Sequence, residues 1–313
     1  MSFPQMSATP VPSAQPIPQW QGVVLMLLIA SAFASNHVAA RVAFDHGANV
    51  LTAVLFRSAG TALAVLALMR FSGVPLRIAT GSRLRAIGVG LALAIQSVCL
   101  YSAVARIPAA LALLVFNVFP LLLVLISWLT GAGRPSGKVL LVMPIALIGL
   151  TLALDVGGWS GVQPRGFSGR WAEIGAGVAF ALVAAVSFAL ALLLSNRWLG
   201  NLDGRMRSFA TMSTVALLAL GVGLGNDGFA WPHDMTGWLA LTLLTAFYGI
   251  AFTSLFALLP RLGTVNNAAL MNFEPIAVLF LAWAILGQSV APLQIFGALV
   301  VIGAVAALAS GKR

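Results

Sequence analysis

Acidic side chains are nearly missing from this sequence: seven Asp and Glu stand among 313 residues, and charged residues of both signs make up 8% of the chain. A soluble protein carries about 25% charged and about 45–50% apolar residues. Here 60% are hydrophobic, which excludes a water-exposed globular surface. The single cysteine, Cys99, excludes an intramolecular disulfide and a cysteine metal cluster. The three histidines have no second His or carboxylate at ligand spacing, so no metal site is expected. Neither GxxxxGK[ST], which cradles nucleotide phosphates, nor the HExxH of a zinc hydrolase occurs. Only one carboxylate, Glu274, lies deep inside an apolar run, whereas acid–base hydrolysis needs a partner at depth. The sequence therefore predicts no enzyme, no ATP use and no cofactor.

What is abundant is apolar runs. A helix needs about 20 residues to cross about 30 Å of hydrocarbon. Ten runs approach that length, at 20–43, 50–69, 85–105, 109–130, 139–154, 172–197, 206–224, 237–259, 264–286 and 292–309. Lipid offers the backbone no partners, and the alternation of a closed barrel is absent, so the spans are read as helices. The expected fold class is an all-α polytopic membrane protein with ten transmembrane helices. Residues 1–19, with Pro4, Pro10, Pro12, Pro16 and Pro18 and no charge, read as a disordered tail, and 310–313 as a second short tail. The N-terminal run lacks a basic start and is too long for a signal peptide, so no cleavage is expected.

The net charge of +10 is informative through its placement. One set of loops holds Arg70, Arg77, Arg83, Arg85, Arg134, Lys138, Arg197, Arg205, Arg207, Arg261, Lys312 and Arg313; the other holds Arg41, Arg106, Arg165 and Arg170. The positive-inside rule puts the first set, and both termini, in the cytoplasm. No basic domain lies outside the spans, so no nucleic-acid partner is expected; the partners are the lipid bilayer and a small molecule.

The chain also repeats itself. A shift of 155 residues lays Arg106 on Arg261, Asn117 on Asn272, Pro120 on Pro275 and Trp128 on Trp283. The same shift lays Phe33 on Phe188 and Ala34 on Ala189. The halves are then residues 20–154 and 172–309, five spans each, joined by an outer loop at 155–171. Five is odd, so the second half enters from the opposite side. Such inverted repeats are the plan of many secondary transporters, which alternate access around a midplane site.

Three stretches carry a family likeness: "YSAVARIPAALALLVFNVFPLLLVLISWLTGAG" (101–133), "LGTVNNAALMNFEPIAVLFLAWAILGQS" (262–289) and "LFRSAGTALAVLALMR" (55–70). Together they resemble the drug/metabolite transporter superfamily, specifically its EamA-type ten-helix exporters, over nearly the whole chain. The resemblance implies a bacterial inner-membrane carrier that exports amino acids or similar metabolites. Its cavity would be formed mainly by spans one, three, four, six, eight and nine. One branch exports aromatic amino acids; multidrug or other-metabolite export is the alternative, and a channel or intramembrane enzyme a more distant one. The Gly-Glu pair frequent in family hairpins reads here as "GAGR" and "GQS".

Within the spans, ionisable groups are functional candidates by default. Glu274 lies near the midplane and can bind an amine or carry a proton; its structural role would be to satisfy backbone freed by Pro275. Helical phase puts Asn272, Pro275, Leu279 and Trp283 on one stripe and Glu274 on roughly the opposite side. Pro120 and Pro275 are read as paired hinges. Arg57 can hold a carboxylate, pair with an acid, or snorkel outward, the last two being favoured. Asn36 and His37 line the outer half of span one, as ligand contacts or as an interfacial pair. Gln96, Ser187 and Tyr248, with Tyr101, Phe188 and Asn267, complete the candidate binding set; singly, each serves equally to glue helices. A monomer is the expected functional unit.

Overall fold

The computed structural model describes residues 19–74, 76, 78–131, 137–155, 167–225, 228–262, 273–288 and 291–309. Among them there is no strand. The helices are α1 (Gln19–Asp45), α2 (Val50–Phe71), α3 (Thr80–Arg106), α4 (Ala109–Phe116), α5 (Phe119–Leu129) and α6 (Gly137–Ala153). They continue as α7 (Phe167–Leu199), α8 (Gly204–Gly225), α9 (Met235–Leu262), α10 (Glu274–Leu286) and α11 (Pro292–Ala309). Seven candidate spans are long and apolar enough to cross a membrane: α1, α2, α3, the α4–α5 stretch, α7, α8 and α9. Three shorter apolar helices lie in α6, α10 and α11. The chain is an integral membrane protein.

Side-chain placement follows from lipid as the solvent. Large apolar residues such as Leu28, Leu63, Leu147 and Phe280 are more than half exposed, on surfaces that meet acyl chains. The interior is instead lined by small residues, with Ala30, Ala34, Ala53, Ala184, Ala185 and Ala189 fully buried. Small interfaces let backbones approach, because helix association in lipid relies on packing and not on water exclusion. The closest case joins α6 and α11: a Cβ on Gly297 would lie 2.4 Å from the Ala153 nitrogen and 2.6 Å from the Gly149 carbonyl oxygen.

Among the principal neighbours, α3 packs on α7, α1 on α9, α6 on α11 and α2 on α8. Further contacts join α3 to α8, α2 to α9, α1 to α10, and α4 and α5 to α7; α4 also meets α10.

The fourth run is expected as one helix over 109–130, but it is broken at Asn117–Val118. Proline has no amide hydrogen, so Pro120 cannot bond the Phe116 carbonyl. The Asn117 side chain turns back instead, its Nδ2 donating to Leu113 O at 2.8 Å. Pro275 holds the matching place in the first turn of α10. The ten residues before α10's opening turn, 263–272, lie outside the described ones, and with them Asn267 and Asn272. Helix α7 begins at Phe167, inside the stretch expected to be loop.

One end of the bundle is tied by two connections. Asn49 caps α2, its Oδ1 accepting from Thr52 N at 2.9 Å, while its Nδ2 donates to Gly228 O in the α8–α9 connection. Asn49 N donates to Ala230 O at 3.2 Å, Thr52 Oγ1 to the same carbonyl at 2.8 Å, and His233 N to His46 O at 3.0 Å. Asp234 caps α9 through Gly237 N at 2.8 Å and accepts from His46 Nδ1 at 2.7 Å. Gly47 sits at φ +99, and a Cβ there would lie 2.3 Å from the His233 ring. At the same end of α1, Arg41 pairs with Asp45 at 3.1 Å and donates to Val104 O and Ala105 O, carbonyls at the end of α3 that have no helical partner.

Candidate functional site: a buried polar cluster

Five helices bring polar side chains to one buried place. From α1, Asn36 and His37 are 0% and 4% exposed; from α2, Arg57 is 2% exposed. From α3, Gln96, Ser97 and Tyr101 are also buried. Tyr248 of α9 and Glu274 of α10 complete the group.

Tyr101 is its centre. Its hydroxyl donates to Asn36 Oδ1 at 2.7 Å, and its ring meets His37 edge-on at a centroid separation of 6.1 Å. The Arg57 Cζ lies 4.8 Å from the same ring centroid and 4.2 Å from that of Tyr248. Arg57 Nη2 donates to Ser97 Oγ, and Ser97 donates in turn to Gln96 Oε1 at 3.2 Å. Tyr248 rests edge-on against Phe33 of α1 and stacks on Phe252.

Glu274 meets His37, Oε1 to Nε2 at 3.3 Å, and so links α10 to α1. The adjacent residue faces elsewhere: Pro275 and Leu279 line an apolar crevice of about 160 Å³ between α4, α10 and α11. This agrees with the opposite helical phases of the two residues. The crevice is walled by aliphatic side chains and Gln294 and is separate in character from the polar cluster.

Arg57 neither reaches an edge of the bundle nor pairs with an acid among the described residues. The expectation of snorkelling took the start of α2 for a membrane interface. That start is covered by residues 228–233, and the guanidinium folds inward onto the tyrosines. Phe188 is placed in a different group, an aromatic contact with Phe116 at 5.4 Å and Phe119 at 4.8 Å. Its neighbour Ser187 is half-buried on α7. Ser97 enters the cluster without having been singled out; it directly follows a candidate, Gln96, and that adjacency was the available signal.

Several buried polar atoms have no partner among the described residues: Asn36 Nδ2, His37 Nδ1, Arg57 Nε and Ser58 Oγ. A buried polar atom left unpaired costs about 1–3 kcal/mol, and three of them in one cluster, on Asn36, His37 and Arg57, is a property of binding sites more than of helix glue.

Comparison with known proteins agrees with this architecture. Residues 175–310 match the EamA-like transporter family. An uncharacterized transporter from Synechocystis sp. is 26% identical over 232 residues, 71% of this chain. The chain spans 65% of that relative's length, just under two thirds. A solved crystal structure of a protein 21% identical in sequence superimposes over 93% of this chain and 97% of its own, with a TM-score of 0.60, and shows a shared fold. The family matched is the one that the stretch at 262–289 resembles, and residues 175–310 of this membrane protein are similar to the EamA-like transporter family.

Proposed function

We propose that the protein is a secondary transporter of the bacterial inner membrane that exports amino acids, aromatic ones among them, and similar small metabolites. It works as a monomer of ten spans, two inverted sets of five, alternating access around the polar cluster, with both termini in the cytoplasm. The observation that carries this reading is the cluster itself. It is drawn from α1, α2 and α3 on one side and from α9 and α10 on the other, in a bundle whose interior is otherwise mostly apolar.

Packing supports the inverted repeat. Exchange α1, α2, α3, α4–α5 and α6 for α7, α8, α9, α10 and α11 respectively. The α3–α7 contact becomes α9–α1, α3–α8 becomes α9–α2, and α1–α10 becomes the contact of α7 with α4 and α5. Pairs α2–α8, α4–α10 and α6–α11 map onto themselves. Two like halves arranged this way can trade shapes without either being redesigned. The asymmetry of Arg and Lys between the two sets of loops supports the orientation.

The cluster also suits an amphiphilic cargo. Phe33, Tyr101, Tyr248 and Phe252 give aromatic surface, while Asn36, His37, Arg57 and Glu274 give polar ends. Purified protein in proteoliposomes, preloaded with unlabelled amino acid, should accelerate entry of the labelled one. Absence of exchange for every amino acid and aromatic metabolite tried would overturn the reading.

A further inference from the structure

We infer that Arg57 is the docking point for a carboxylate of the cargo, so that this protein selects small carboxylic acids over their neutral or purely cationic analogues. The inference rests on the transporter reading above and names the substrate class of the same site.

A guanidinium is always charged, and its burial among helices is costly unless an opposite charge or several acceptors meet it. Arg57 is 2% exposed and, among the described residues, makes no ion pair. Five carboxylates are engaged elsewhere. Asp45 pairs with Arg41, Asp203 with Arg205, Asp234 with His46 and Glu274 with His37; Asp155 has a partner of its own. What Arg57 has is two tyrosines, Tyr101 through its ring and its hydroxyl and Tyr248 through its ring, and one serine oxygen. Ring faces attract the cation but accept none of its N–H groups in line.

The surrounding surplus is of donors. Arg57 Nε has no acceptor. Asn36, tied through Tyr101 to the same place, uses its oxygen on the Tyr101 hydroxyl and leaves Nδ2 unused. A cation with spare donors and no acid describes the complement of an anion. One positive charge suits a monoanion, and the planar fork of Arg matches a carboxylate's two oxygens.

The experiment uses matched compounds: aliphatic and aromatic acids, each beside its primary amide and its decarboxylated amine. Two readouts are taken on the full-length protein, thermal stabilisation in detergent and competition for counterflow in proteoliposomes. The acid of at least one set should bind and compete roughly tenfold or more better than its amide and amine, because a site built to bond a group rejects the analogue lacking it. Arg57→Gln should erase that preference and Arg57→Lys should restore part of it. An amine or amide equal to its acid, or an Arg57→Gln protein that keeps the preference, overturns the inference while exchange itself leaves the transporter reading standing. No binding and no exchange by any compound overturns both. If Arg57→Gln does not fold, the matched sets on the parent protein decide.

Discussion

Glu274 and His37 illustrate what a single residue does in this bundle. A carboxylate in the first turn of α10 is favoured there by the free N–H groups of the helix start, and His37 supplies it with a partner on another helix at 3.3 Å. That pair links α10 to α1. Replacement Glu274→Gln is expected to reduce exchange at least about tenfold, with the detergent-purified protein still monodisperse. A variant with the parent's flux would make Glu274 a purely structural acid. The members of the cluster were legible one by one, because an Asn, His, Gln or Glu inside an apolar run is conspicuous. Their partners were not: nothing local to His37 names Glu274, and nothing local to Arg57 names Tyr248, since those meetings depend on how distant helices pack. Phe188 shows the converse. Its repeat partner Phe33 touches Tyr248, but Phe188 packs with Phe116 and Phe119, so a sequence echo preserved the aromatic type without the same contact.

Among the elements, α4 and α5 were harder to read than α1, α2 or α3. Hydrophobicity is continuous from Ala109 to Leu129, and hydropathy alone does not register a missing N–H. Pro120 was the only mark of the interruption, and its echo in Pro275 marked the start of α10. Pro120→Ala restores a donor for the Phe116 carbonyl and should straighten the stretch. Introduced cysteines in the two vestibules should then label in a changed ratio, for this variant and for Pro275→Ala; equal labelling in mutant and parent would remove the hinge role. The α6–α11 contact gives a prediction of a different kind. Since a Cβ on Gly297 meets backbone, which cannot rotate away, Gly297→Ala is expected to cost about 1–3 kcal/mol of stability, read as a lowered midpoint of thermal unfolding. Gly303, on the same helix with nothing within 4 Å of its would-be Cβ, is the control, and Gly303→Ala should leave that midpoint unchanged.

For the whole molecule, the tie between residues 46–52 and 228–237 connects the α1–α2 turn to the α8–α9 turn. The Gly237 N–H and then His46 hold the Asp234 carboxyl below the usual carboxylate range. A lowered folded-state value means that this contribution is complete above the ordinary Asp pKa of about 3.9 and is lost as pH falls through the folded value. Thermal unfolding of Asp234→Ala against the parent should therefore show a constant deficit at neutral pH that disappears only in acid. A deficit that grows as the medium is acidified would contradict that assignment.

The same tie bears on how the protein is made. When α1 and α2 leave the ribosome, the carbonyl of His46 and the side-chain amide of Asn49 have reached the membrane edge, while residues 228–233, which bond them, are still to be synthesised. Water must fill those positions through the insertion of α3 to α8. The turn between α1 and α2 is thus born unfinished, completed from the part of the chain that matches the transporter family. A gene split between α6 and α7 would yield fragments that need each other at that turn before it is closed.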